Sequence, residues 1–524
     1  MTHPPPGGPD WQPAPGADGP GWEPVPGADR PEWLQPPPGG SGWPPPPTPP
    51  GWPAPQQAGR GWSPTPPPPE RPRGRRVGPL VATLILLLVV GLAAGGLVFA
   101  TRREPSPSAG GATAAPATRA PAGQTPSTRA PAATPAGPEV REVQQAVAEL
   151  RELRFERRVP VTVESPERLA RRLLRVMAEE TDEDRLRRQG RALELLGQLP
   201  AGTDLPSLLS RIQAESVLGF YLPGRQPPKG SLYVRSSAGL DPYTKFNLSH
   251  ELTHAVTDQH FDLTRADRLA DATAREDELA AYSGLVEGDA VLVMQRYLAE
   301  RLTPSEQAAA ALTAAGQGTP RLDAAPAVIR ESLIFPYQEG LRFVRILYQQ
   351  GGWAAVNRAY RDPPTSTEQL LHPERYLRDR DQPQAVAVPD LSGPLGGGWR
   401  PATEQSFGEF DARLLLQGEL AVATAQSAAS GWDGGRLRTF QRGRSTALAL
   451  RTVWDTTDEA TEFCNAMRGW ATARFGPATR TSTTLRWSGD NQRTALTCRG
   501  PRVAWLSAPD PSTLNRLTTA LSSP

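Results

Sequence analysis

The chain has 524 residues and a formal net charge of +2, which leaves no electrostatic case for nucleic acid as a partner. Its 60 prolines, crowded towards the N-terminus, are too many for one globular domain. The length allows two or three domains, and the composition divides the chain into disordered and folded parts.

Residues 1–76 are rich in proline and glycine, with tryptophans at 11, 22, 33, 43, 52 and 62 in units such as G-W-x-P-x-P. Such a tract buries too little apolar surface to offset its chain entropy. It reads as a disordered cytoplasmic tail with polyproline-II bias, either a ligand for a proline-reading partner or a plain solvated repeat. Residues 77–101, Val77 to Thr101, contain no charge. As a helix they exceed the roughly 30 Å hydrocarbon core of a bilayer. Four arginines at 71–76 precede this stretch, and Arg102 and Arg103 follow it. The positive-inside rule then puts the N-terminus in the cytoplasm. The expectation is an uncleaved signal-anchor: one transmembrane helix in the cell membrane, with the remainder extracytoplasmic. Residues 102–138, rich in Pro, Ala and Thr, read as a flexible linker.

From Glu139 the composition changes. Helical periodicity is expected over 140–153, 166–177, 183–198 and 205–218, with a short strand at 158–164. Residues 219–223 and 231–237 flank a Pro/Gly turn and predict a hairpin. The second of these strands is the candidate to pair with a substrate peptide through its main chain, an ordinary internal strand being the alternative.

Asp241-Pro242 supplies an N-cap followed by proline in the first turn, so a helix should start there. It carries H-E-L-T-H at 250–254. His250 and His254 lie one helical turn apart on one face, the spacing at which two imidazoles bind one Zn²⁺ at roughly 2.0–2.1 Å. Glu251 projects about 100° away and can reach a metal-bound water without ligating the metal. The chain has only five histidines, and His250, His254 and His260 fall within eleven residues.

A catalytic zinc site needs a third protein ligand and an open position. Two candidates exist. His260 stands at the H-E-x-x-H-x-x-x-x-x-H spacing, but Thr257 replaces the glycine that such a turn uses. Glu287 lies in G-L-V-E-G-D-A (284–290), within a helical stretch expected over 265–301 that could run beside the first helix. Asp258, Asp262 and Asp289 are candidates to accept the second ring N–H of a ligating histidine. Further on, 335–360 reads as a helical hairpin broken at Gly351-Gly352. His372, before a proline at a helix end, and Tyr337 and Tyr376 are candidates to stabilise an oxyanion.

Residues 395–524 read as a smaller α+β module, with strands at 447–455, 483–487, 494–498 and 502–506 and helices at 457–474 and 511–521. Cys464 and Cys498, the only cysteines, are expected to pair.

The stretch H-E-L-T-H-A-V-T-D resembles the active-site helix of thermolysin-type peptidases. G-L-V-E-G-D-A is similar to the glutamate helix of the wider gluzincin group of zinc metallopeptidases (clan MA). The N-E-A-x-S-D motif of the thermolysin family proper is absent. The resemblance extends over about 140–510, with its sharp motifs at 246–263 and 284–290. It implies a mainly helical, zincin-like domain with a small edge sheet over 139–394, followed by the 395–524 module, an α+β protein overall. It implies His250, His254 and Glu287 as zinc ligands and Glu251 as general base. The expected function is a membrane-anchored endopeptidase acting on a peptide or protein substrate, with Glu251 and His372 as catalytic residues. The alternative is an inactive zincin-like adaptor of the cell envelope.

Overall fold

Helix α1 (Pro138–Arg151) shows why this sequence folds as it does. Proline opens its first turn, and Val140, Val143, Val147 and Leu150 recur on one buried face. A computed structural model places it among residues 134–135 and 137–522, which are described apart from 225–229, 237–239 and 482–483.

Before and after α1 come four strands: β1 (Thr134–Pro135), β2 (Val161–Glu164), β3 (Gly219–Leu222) and β4 (Ser231–Arg235). They form one sheet in the order β1-β2-β4-β3, with β2 and β4 parallel and the other pairs antiparallel. The helices at Pro166–Glu180, Glu183–Leu195 and Leu205–Ser216 lie between β2 and β3 in the chain. One expectation is corrected here. The strand proposed to receive substrate, β4, is flanked on both sides by β2 and β3, so its main-chain groups are already used. The edge next to the H-E-L-T-H helix belongs to β3.

Three helices build the centre: α2 (Pro242–Phe261), α3 (Glu276–Arg301) and α4 (Ala327–Arg361). The Asp241 carboxylate accepts from Thr244 N–H at 2.7 Å and caps α2, as the sequence predicts. Both α2 and α3 are buried on nearly all sides, which is why neither shows a clear polar face. The continuous helix expected over 265–301 is in fact two, Arg265–Asp271 and α3, parted where Ala274 takes φ of 57°. The break in α4 falls at Gly351 and Gly352, and Gly352 has φ of 58°, which a side chain would strain.

The single-pass anchor also needs correction. Among the described residues, no helix is long and apolar enough to cross a membrane. The longest, α3 and α4, are interrupted by charges such as Glu287, Asp289, Arg296, Arg330 and Glu339. The stretch 77–101 and the 1–76 tail lie outside the described residues. Neither a transmembrane helix nor an extracytoplasmic location is carried forward.

After the short helix α5 (Thr367–Leu371) the chain enters a seven-stranded antiparallel sheet, β5 (Arg400–Ser406), β6 (Trp432–Arg442), β7 (Ser445–Trp454), β8 (Thr479–Thr481), β9 (Thr484–Ser488), β10 (Arg493–Arg499) and β11 (Arg502–Ala508). Its order is β5-β6-β7-β11-β10-β9-β8. Helix α6 (Glu409–Gln417) precedes β6, and α7 (Thr457–Phe475) follows β7. On one face, Phe463, Met467 and Trp470 of α7 pack on Trp454, Leu496 and Trp505. On the other, Leu395, Trp399, Leu514 and Leu517 cover Phe440, Ala447 and Leu506. Cys464 of α7 and Cys498 of β10 form the expected disulfide, with Cα atoms 6.4 Å apart. Closing a loop between residues 34 positions apart stabilises the fold by roughly 3–4 kcal/mol on the chain-entropy account.

The seam between the helices and this sheet is polar and buried. Thr367 donates its hydroxyl to Asp277 Oδ1 at 2.5 Å, and Ser406 Oγ accepts from Asp277 N–H at 2.8 Å. Phe335 and Phe410 stack across it at 4.1 Å. Burial pushes the Asp277 carboxyl up to about 7, against the pull of Thr367. A raised acid contributes stability that is complete below its unfolded value near 3.8 and lost as pH rises through the folded value near 7. Asp277→Asn keeps an acceptor for Thr367 and cannot ionise. It should stabilise the fold at pH 8 by on the order of a few kcal/mol, read as a higher melting temperature, and change it little at pH 5. Equal shifts at both pH values would show that ionisation of Asp277 does not weaken the seam.

Candidate metal centre

Helix α2 carries His250 and His254 on the face turned to α3, and α3 turns Glu287 back towards them. The approach depends on small residues. A Cβ on Gly288 would lie 2.1 Å from the Gly340 carbonyl oxygen, and one on Gly340 would lie 2.1 Å from that of Gly284. The backbones of α3 and α4 therefore touch beside Glu287. One turn before Gly340, α4 supplies Tyr337, whose ring stacks on His250 with centroids 6.1 Å apart.

The three donor atoms form a tight triangle. His250 Nε2 and His254 Nε2 are 3.0 Å apart, and Glu287 Oε2 is 3.1 Å from the first and 3.6 Å from the second. A circle through them has a radius of about 1.9 Å, near the donor distance of roughly 2.0–2.2 Å for a first-row divalent ion. His250, His254 and Glu287 are 1%, 5% and 0% exposed. Neither Glu287 oxygen has a well-directed hydrogen bond, and His250 Nδ1 has no partner. A buried carboxylate left so poorly satisfied is costly, and a cation between it and two imidazoles removes that cost. The group could thus bind a metal ion.

The electrostatics agree. Burial holds both imidazoles neutral, His254 down to about 4 and His250 below its ordinary value. A neutral imidazole is the form that ligates. Burial pushes Glu287 up to about 7, opposed by His250 and then by Tyr337. Glu251 is also buried, and its carboxyl is raised well above the ordinary range by burial and then by the charge of Glu287. The Tyr221 backbone N–H, at the β3 edge, donates to Glu251 and works the other way. Glu251 fits against β3 because Gly219 has no side chain: a Cβ there would sit 3.1 Å from Glu251 Cγ.

The other predicted residues lie elsewhere. His260 donates Nε2–H to the Arg154 carbonyl at 2.8 Å and sits near Glu156, so Glu287 and not His260 completes the group. His372 caps the end of α5, as expected of a residue before proline, but its Nε2 faces Glu409 at 3.1 Å and Arg413 at 3.2 Å. The oxyanion role expected of His372 is therefore withdrawn, since its partners belong to the sheet module. Tyr376 donates to the Asp362 carbonyl. Of the three candidates, Tyr337 is the one that the fold brings to the histidines. None of the three aspartates expected to orient the imidazoles bonds to one. Asp258 accepts from Tyr221 OH, Gly224 N–H and Leu263 N–H and so ties β3 to the end of α2. Asp262 pairs with Thr264 and Arg268 on the surface. Asp289 is held by Arg151 and Tyr360. An apolar cavity of about 290 Å³ lies apart from the group, lined by Met177, Leu209, Leu279, Ile329 and Leu333 among others.

Comparison with known proteins reaches only the sheet module. A family described as a domain of unknown function (DUF8575) matches residues 398–518, which fall inside the sheet module. No curated protein and no solved structure matches the chain.

Proposed function

We propose that the chain is a zinc-dependent peptide hydrolase of gluzincin type. The observation that carries the reading is a buried set of two histidines and a glutamate, ringed around a space of ionic size, with a second glutamate, Glu251, on the helix of the histidines. Two imidazoles and one carboxylate are a donor set that zinc accepts, with a further position left for water or substrate. When bound, zinc would act as a Lewis acid on a carbonyl and bring the pKa of its water to about 7.

The protein side of the reaction falls to three groups. Glu251 takes the proton of the attacking water and returns it to the leaving amine. Tyr337, stacked on His250 and beside Glu287, is placed to donate to a developing oxyanion. Apart from the Tyr221 N–H, which donates to Glu251, the edge of β3 offers main-chain groups to an extended peptide.

The second reading is a structural metal in a binding protein. It is favoured by closure: Glu251 is 4% exposed, and His250, His254 and Glu287 lie between 0% and 5%. A substrate reaches a centre so enclosed only if part of its cover moves aside. Digestion of a peptide library by the zinc-loaded full chain separates the two. Hydrolysis reproduced at the same bonds supports the peptidase. A metal-bound chain that cleaves no member of the library supports the structural site.

A further inference from the structure

A second group of carboxylates gathers where α5, the segment after it and the end of β7 meet. One carboxylate oxygen from each of Glu368, Asp381 and Asp455 lies within 4.8 Å of the other two. Arg375 answers part of this charge, with Nη1 2.6 Å from Asp381 Oδ2 and Nη2 2.7 Å from Asp455 Oδ2. Three acids against one guanidinium leave an excess of two negative charges, and Asp381 and Asp455 each keep a second oxygen. Arg375 therefore accounts for the pairing of two acids and not for the third.

Glu368 supplies the independent sign. It is 2% exposed, and its Oε1 has no hydrogen-bond partner. Burial, and then the charges of Glu409, Asp381 and Asp455, push its carboxyl up to about 9, with Arg375 pulling the other way. A buried carboxylate among other acids, short of a donor, is stabilised by a cation or else kept protonated.

We propose that Glu368, Asp381 and Asp455 bind one calcium ion, which ties the sheet module to the helical domain. Donors that are all carboxylate oxygen favour a hard cation over zinc. Calcium accepts irregular sets of six to eight oxygens and completes them with water, whereas magnesium demands a near-ideal octahedron. The half-buried Asp381 and exposed Asp455 leave one side of the group open to such waters. The ion would join α5, the chain after it and the β7–α7 turn, of which Arg375 already draws the last two together. This site is separate from the histidine centre in donors and in ion, and does not rest on the peptidase reading.

The test is titration of the full chain, zinc-loaded and freed of alkaline-earth ions, with calcium chloride by calorimetry, and with magnesium chloride alongside. One calcium per chain is expected, with a dissociation constant of about 10⁻⁵–10⁻³ M and weaker magnesium binding. Glu368→Gln should weaken calcium binding by about tenfold or more, and Arg375→Met, which removes a like charge, should tighten it. Should Glu368→Gln fail to fold, Asp381→Asn at the half-buried position carries the same expectation. Absence of saturable calcium binding up to about 10 mM, ten times the weakest affinity expected, overturns the proposal. So does binding that none of these variants changes. Zinc content is read in the same samples, so a failed calcium site leaves the histidine centre to be judged separately.

Discussion

Glu251→Gln is expected to keep the metal and to lower peptide hydrolysis about 10²–10⁴-fold, the usual contribution of a positioned general base. The reasons lie in the geometry. Glu251 is not one of the three atoms around the ionic space, so removing its charge leaves the donors intact. Glutamine has nearly the same shape and can still accept from the Tyr221 N–H, so the fit beneath Gly219 is preserved. What is lost is the ability to hold a proton between attack and departure. The measurement is kcat on the best library peptide, with metal content determined on the same preparation. A variant that hydrolyses as fast as the wild type would remove Glu251 from the mechanism. A variant that loses metal would mean that Glu251 is a ligand.

Arg151→Met should destabilise the helical domain by about 3–5 kcal/mol, the cost of leaving one charge of a buried pair alone. Arg151 and Asp289 are both fully buried, with Nε 2.8 Å from Oδ1. The guanidinium also donates Nη2–H to Asn357 Oδ1 at 2.7 Å and stacks over Trp353 at 4.3 Å. Without it, Asp289 keeps the Tyr360 hydroxyl at 2.9 Å as its donor. The double variant Arg151→Met/Asp289→Asn removes the stranded charge and should recover part of the loss, because two neutral groups are cheaper to bury than one unpaired ion. Denaturant unfolding of the wild type, the single variant and the double variant reads this directly. A single variant within about 1 kcal/mol of wild type, as for an exposed pair, would contradict the account. This pair joins α1 to α3 two residues beyond Glu287, so the same loss should loosen the Glu287 carboxylate.

The strong features of the centre were legible in the sequence because they are local. The N-cap at Asp241, the turn between His250 and His254, and the position of Glu251 follow from helical geometry alone. The choice between His260 and Glu287 was not local. It depends on where α2 ends, and that is decided by Asp262 in the left-handed region, φ 54°, which leaves His260 facing Arg154. His372 shows the same limit. Its place at a helix end was readable from the following proline, but its partner Glu409 lies on another element. Three strands of the large sheet, β5, β6 and β8, were not legible either. In β6, Gly434 and Gly435 argue against a strand, yet a Cβ on either would lie within 2.4 Å of a neighbouring carbonyl oxygen, Gln384 and Phe407 respectively. These glycines serve a close backbone approach, as Gly284, Gly288 and Gly340 do in the helical domain. A sequence shows such glycines but not what lies against them.

The most direct test of the whole account is transition-metal analysis of the purified full chain by mass spectrometry. It predicts one zinc per chain in the wild type and in Glu251→Gln, and little or none in His250→Ala, His254→Ala or Glu287→Ala that remain folded. Zinc retained at one per chain in folded Glu287→Ala and His254→Ala would contradict it, because the metal would then be held by other residues.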